Sequence, residues 1–161
     1  MSAIYRLLAA LVLAVTTPAL ARQSGEVTGK VVGVADGDTL TVLDATNRQH
    51  KVRLAYIDAP EKAQPFGNRA KQKLSDACYG KRANVRVIDT DRFGRAVGEV
   101  TCNGVAANRM MVDSGMAWVY VKYAKGQGAL VVAEVAARAA KIGLWTDPAP
   151  TPPWEFRRDK R

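Results

Sequence analysis

Residues 27–57 read VTGKVVGVADGDTLTVLDATNRQHKVRLAYI, three runs of β-formers separated by two clusters of turn residues. Val27 to Val34 is dense in β-branched side chains, which suit a pleated, half-buried surface. Asp36-Gly37-Asp38 interrupts it, and Thr39 to Leu43 forms a second run. Asp44 to Arg48 has turn composition. His50 to Ile57 is a third strand, with His50, Val52, Leu54 and Tyr56 on one face and Lys51, Arg53 and Ala55 on the other. Asp58-Ala59-Pro60-Glu61 breaks this strand, and a loop follows to Gly67.

Beyond the loop the period changes. Asn68 to Cys78 carries Ala70, Leu74 and Ala77 at helical spacing, with Gly80 as a stop. Ala83 to Ile88 and Arg95 to Thr101 are a fourth and a fifth strand around the Asp91 to Gly94 turn. A short helix is expected near Ala107 to Asp113 and a third helix over Leu130 to Lys141. Three strands, a helix and two strands is the element order of an OB-fold. The expected class is therefore α+β, a five-stranded OB-fold barrel with three α-helices, of a kind that commonly binds oligonucleotides or oligosaccharides.

The whole chain has 161 residues, which argues for one domain. Residues 1–21 have the pattern of a secretory signal. Arg6 is the positive start, Leu7 to Val15 is apolar, and Ala19-Leu20-Ala21 fits a small-x-small cleavage site. The apolar run is short of the ~20 residues a membrane span needs. Export to the periplasm or the medium is the expectation, with no stable membrane association. The folded domain is expected over residues 22–146, and residues 147–161 (DPAPTPPWEFRRDKR) read as a Pro-rich basic tail outside the core. An oxidising compartment makes Cys78 and Cys102 candidates for a disulfide.

Composition prunes the chemistry. Hydrophobic residues make up 48% and charged residues 24%, which excludes a globally disordered chain. The 24 basic and 15 acidic residues leave a formal charge of +9, so a polyanion is the first partner to consider. A single histidine, His50, excludes a two-histidine nuclease and a His-rich zinc site. Two cysteines cannot build a four-cysteine centre. Ser24, Ser75 and Ser114 lie outside any G-x-S-x-G elbow.

What remains is carboxylates and arginines. Asp36 and Asp38 flank a turn glycine, and Asp38 opens a strand, where a charge needs a cationic neighbour. Taken in isolation, Asp-Gly between two apolar β runs reads first as a plain hairpin turn. Asp58 and Glu61 lie three apart across a proline-fixed turn, downstream of Arg53 in its apolar strand. Arg95 enters a strand behind the Asp91-Arg92-Phe93-Gly94 turn. Carboxylate oxygens suit a hard cation, and arginines suit a phosphate gaining charge in a transition state.

Three segments in this order, VVGVADGDTL, VRLAYIDAPE and DRFGRAVGEV, resemble the signature segments of the staphylococcal nuclease family. ANRMMVDSGMAWVY and AEVAARAAKIGLW are similar to its second and third helices, so the resemblance runs from Val27 to Trp145. It implies a Ca²⁺-dependent nuclease that cleaves DNA and RNA by in-line attack of water and leaves 3′-phosphate ends. The substrate would be single-stranded or locally opened duplex, and the protein a monomer with no obligate protein partner. By position, Asp38, Asp58 and the carbonyl of Ala59 match the calcium ligands. Glu61 matches the residue that activates or orients water, and Arg53 and Arg95 match the phosphate-binding arginines. Phe93 and Tyr123 match substrate-pocket positions, and Asp36 matches a nearby supporting acid. Ala59 stands where threonine is common, Phe93 where a tyrosine is found, and Val121 where a second pocket aromatic is found. A catalytically silent OB-fold module that binds nucleic acid is the competing reading. The complete set of Arg53, Asp58, Glu61 and Arg95 with Asp38 speaks against it.

Overall fold

The computed structural model describes residues 25–160. The expected leader, residues 1–21, lies outside them. Five long strands are present: β1 (Glu26–Val34), β2 (Thr39–Asp44), β3 (Gln49–Leu54), β5 (Arg82–Thr90) and β6 (Ala96–Cys102). Three short ones are β4 (Ile57–Asp58), β7 (Val105–Ala106) and β8 (Trp118–Val119). The helices are α1 (Gly67–Cys78), α2 (Ala107–Asp113), α3 (Gly128–Ala139) and α4 (Pro153–Asp159). The long strands run β3-β2-β1-β5-β6, and a parallel pairing of β3 with β6 closes the barrel. This is the expected OB-fold barrel, with four helices rather than three.

Alternation explains the barrel interior. Leu40 and Val42 of β2, Val52 and Leu54 of β3, and Val85 of β5 are fully buried, and the residues between them, Thr41 and Arg53, are more exposed. Helix α1 covers one end with Ala70, Leu74 and Cys78, spaced four apart on one face. A second cluster joins Trp118, Ala137, Leu144 and Trp145, with Phe66 and Trp154 packed against it. Trp118 meets Trp145 edge-on at 4.4 Å between ring centroids.

Two departures from the sequence reading shape the site. The third strand stops at Leu54 instead of Ile57. Tyr56 takes a φ of 67°, an uncommon conformation for a bulky residue, and the chain resumes as β4 paired with β8. An unbroken strand would have carried Asp58 onto the face of Val52 and Leu54, into the barrel interior. The turn at Tyr56 redirects it toward Arg53. The second departure is the tail. From Asp147 it was expected to stay clear of the core, yet it folds back as α4, with Pro153 buried and Trp154 against the aromatic cluster.

Cys78, at the end of α1, is bonded to Cys102, at the end of β6. Both are fully buried. The bond closes a loop across a sequence separation of 24, which the chain-entropy account values at about 3 kcal/mol. Reduction is therefore expected to lower the urea midpoint without changing the fold. Equal midpoints for oxidised and reduced protein would contradict this.

Candidate active site

The site is built where four chain segments meet. The Asp36-Gly37-Asp38 turn lies over Ala59 and Ala70. A β-carbon added at Gly37 would come within 2.7 Å of both alanine β-carbons, so only glycine allows this approach. Gly67, at the start of α1, is similarly close to the carbonyl of Glu61, where an added β-carbon would lie 2.0 Å away. These two glycines bring the first acidic turn, the Asp58–Glu61 loop and α1 together. On β6, Asn108 of α2 adds a clamp. Its side chain accepts from the Val100 amide at 2.8 Å and donates to the carbonyls of Ala55 at 2.9 Å and Gly98 at 3.2 Å. This buried amide thereby ties β6 to the turn that precedes Asp58, a role that sequence reading missed.

Asp38 is almost wholly buried and Asp58 fully so. Arg53 bridges them, with Nη1 donating to Asp38 Oδ1 at 3.2 Å and Nη2 to Asp58 Oδ1 at 2.8 Å. Asp38 Oδ2 also accepts from the Ala59 amide at 3.0 Å, which fixes the Ala59 peptide beside the pair. Asp36 supports the turn by accepting the Asp38 amide at 3.1 Å. Burial pushes the Asp38 carboxyl up to about 7, against the opposing pull of Arg53 and with reinforcement from Asp36 and Asp58. Burial works against the Arg53 charge, but Asp38 and Asp58 outweigh it and hold the guanidinium above its ordinary range.

Arg95 approaches from the end of the turn that leads into β6. Its Nε donates to Asp91 Oδ2 at 2.7 Å, and its Nη1 lies 3.4 Å from Thr39 Oγ1. Asp91 is buried in part, which would raise its pKa, but the donors of Arg95 and Phe93 hold it below the ordinary carboxylate value. Phe93 is exposed at the rim, with Arg92 and Arg95 against its ring at 4.7 and 5.6 Å. Tyr123 is also exposed and meets Tyr120 edge-on at 5.1 Å. These residues all line one open groove of about 1020 Å³, which also includes Glu61. The groove thus collects Asp36, Asp38, Arg53, Ala59, Glu61, Phe93, Arg95 and Tyr123, and Asp58 closes its base through Arg53. His50 is elsewhere, paired with Asp44 at 2.7 Å in the β2–β3 hairpin.

One member was missed altogether. Arg157 of α4 donates from Nη2 to Asp58 Oδ2 at 2.6 Å and from Nη1 to Glu61 Oε1 at 2.7 Å and Asp58 Oδ1 at 3.2 Å. The sequence held a signal for the helix itself. Pro153 is at the first helical position, Glu155 lies in the first turn, and Arg157 and Arg158 in the last, as the helix dipole prefers.

A family model described as staphylococcal nuclease homologue matches residues 51–147. The chain belongs to the staphylococcal nuclease family. The match covers most of β3 with Arg53, the Asp58–Glu61 loop and Arg95, while Asp38 and Arg157 lie outside it. Among relatives, the micrococcal nuclease of Shigella flexneri is 41% identical over 98% of this chain and 94% of its own length. An uncharacterised endonuclease of Haemophilus influenzae is 42% identical over 83% of this chain and 75% of its own. A probable staphylococcal-like nuclease of Oryza sativa is 42% identical over 71% of this chain. This family member spans most of those bacterial relatives but only about a third of the plant ones, 34% for the Oryza protein and 35% for an uncharacterised 38.1 kDa protein of Capnoides sempervirens.

The donor chemistry of the groove fits a hard divalent cation. Asp38, Asp58 and the Ala59 carbonyl would offer oxygen ligands, and a guanidinium already rests as a stand-in cation on Asp58 and Glu61. Among the described residues no three acidic, histidine or cysteine side chains form a ready-made cage. Two side chains and one carbonyl leave the remaining positions of such an ion to water and phosphate.

Proposed function

We propose that the chain is a Ca²⁺-dependent endonuclease that hydrolyses phosphodiester bonds of DNA and RNA and leaves 3′-phosphate ends. The observation that carries this reading is the convergence of Asp38, Glu61, Arg53 and Arg95 on one groove of a strongly basic protein, with the buried Asp58 tied to it through Arg53. Family membership supports the reaction class. Asp38, Asp58 and the Ala59 carbonyl would hold the cation, which when bound supplies Lewis-acid polarisation of a phosphate oxygen.

The protein's own groups do the rest. Arg53 is locked between Asp38 and Asp58, so its position is set before substrate arrives, and the same holds for Arg95 on Asp91. Charged donors already held in place need no reorganisation when a phosphate gains charge, which favours the transition state over the ground state. Glu61 stands at the groove wall, and its carboxylate takes or directs the proton of the attacking water. Phe93 and Tyr123 flank the groove with exposed rings suited to stacking on unpaired bases. Single-stranded or locally opened nucleic acid suits such a site. The exposed position of the rings also means that base preference is weak.

Export to the periplasm or medium is part of the proposal. The buried Cys78–Cys102 bond fits an oxidising compartment. Among the described residues no helix is long and apolar enough to cross a membrane.

The test is to incubate the mature protein with single- and double-stranded DNA and RNA in Ca²⁺ or chelator and to identify the product ends. Cation-dependent cleavage with 3′-phosphate ends is the expected result. Tight binding without cleavage would select the silent OB-fold module instead.

A pH dependence follows from Asp38. A divalent cation binds the ionised carboxylate, so it must displace the proton that burial retains up to about 7. Apparent cation affinity is expected to fall about tenfold for each pH unit below that value and to level off above it. Calorimetry between pH 5 and 8 measures this directly. A flat profile would place Asp38 outside the cation site.

A further inference from the structure

We propose that α4 is an autoinhibitory latch, in which Arg157 and a divalent cation compete for the carboxylates of Asp58 and Glu61. The inference rests on the nuclease reading of this groove and adds its regulation. Three donor contacts from one guanidinium, at 2.6, 2.7 and 3.2 Å, tie two residues near the middle of the chain to a residue four from its end. Asp58 is fully buried, and both of its oxygens are engaged, Oδ1 by Arg53 and Arg157 and Oδ2 by Arg157. A cation reaching Asp58 Oδ2 meets the positive charge of Arg157 at that oxygen. Glu61 Oε1 is engaged by the same group, so the latch also holds the residue assigned to the water proton.

The remaining anchors of α4 are the buried Pro153, the ring of Trp154, and the Thr151 carbonyl just before the helix. Trp154 stacks on Tyr120 at 5.1 Å with rings 11° apart, and it meets Trp118 edge-on at 5.8 Å. Gln64 is buried between the two halves of the device. Its Oε1 accepts the Glu61 amide at 2.8 Å, and its Nε2 donates to the Thr151 carbonyl at 3.2 Å. Helix α4 has seven residues, far fewer than a helix needs to persist alone. It therefore depends on these contacts. That places α4 at the low end of local stability, where segments open without global unfolding. The arrangement makes a cation-sensitive contact: while Arg157 is seated on the groove wall, its charge faces the Asp58 and Glu61 oxygens and opposes a second cation there. Once it is displaced, the Asp58 and Glu61 oxygens face the groove.

The competition has a direct thermodynamic signature. A latch closed nine-tenths of the time raises the apparent dissociation constant of the cation about tenfold. Ca²⁺ binding by calorimetry, without nucleic acid, should therefore tighten about tenfold in Arg157→Gln relative to the full-length parent. Trp154→Ala, which removes the aromatic anchor and keeps the guanidinium, should shift affinity the same way by less. In the parent, Ca²⁺ should speed amide exchange across residues 153–160 and leave β5 and β6 protected. Circular dichroism checks that both variants fold. If the parent binds Ca²⁺ and cleaves nucleic acid, but both variants bind Ca²⁺ no more tightly and α4 exchange is unchanged, the latch is wrong and the nuclease reading stands. If neither parent nor variants bind Ca²⁺ or cleave, the nuclease reading fails and the latch fails with it.

Discussion

Glu61→Gln is expected to lower kcat by about 10²–10⁴-fold, the usual range for removing a positioned general base. The substitution keeps the shape of the side chain and its ability to accept from the Nη1 of Arg157, so the fold should be unaffected. It removes the basicity and one negative charge. Affinity for uncleaved substrate should change little, because the lost proton transfer matters only in the transition state. No histidine stands by to take over, since His50 is occupied with Asp44 in a distant hairpin. Single-turnover cleavage at saturating Ca²⁺, with substrate affinity measured separately, resolves the two effects. A variant that binds and cleaves like the parent would remove Glu61 from proton transfer and leave it as a partner of Arg157 alone.

That partnership shows where sequence reading stops. The barrel was legible because its strands alternate: Leu40 and Val42, Val52 and Leu54, and Ala83, Val85 and Val87 each announce a buried face at period two. The acidic turns and the arginines were legible because charged residues inside apolar runs are costly and so conspicuous. The break at Tyr56 was not legible. A left-handed conformation is usually signalled by glycine or asparagine, and here a tyrosine adopts it where the Tyr56 carbonyl accepts the Tyr120 amide and Asn108 holds Ala55. Arg157 was hidden for a different reason. Its partners are 96 and 99 residues away, and the prolines before it give the tail the composition of a linker. Local pattern carries helix caps and strand faces. It does not carry a contact that forms only when the chain's end returns to its middle.

Arg53→Leu should reveal how much the fold itself depends on the site. In the parent, one guanidinium serves two buried carboxylates at 3.2 and 2.8 Å. Leucine fills part of the space and removes the charge, leaving Asp38 with the Ala59 amide and the Thr39 hydroxyl, and Asp58 with Arg157. Breaking a buried pair in this way typically costs about 3–5 kcal/mol, a large share of the roughly 5–15 kcal/mol that holds a domain together. The sign of the pH dependence is fixed by the same geometry. Asp38 already binds its proton more tightly when folded than its ordinary value of 3.8 allows, and losing Arg53 raises it further. A folded state that holds more protons than the unfolded one gains stability as pH falls. The deficit of Arg53→Leu should therefore be greatest above pH 7, shrink as pH falls through about 7, and level off below it, where Asp38 carries its proton in parent and variant alike. Urea unfolding of parent and variant at several pH values, in chelator, provides the comparison. A loss that stayed constant across that range would mean that Arg53 stabilises through its aliphatic packing and not through its charge. A loss that shrinks with acid would show that the residue poised for phosphate also neutralises the two acids beneath it.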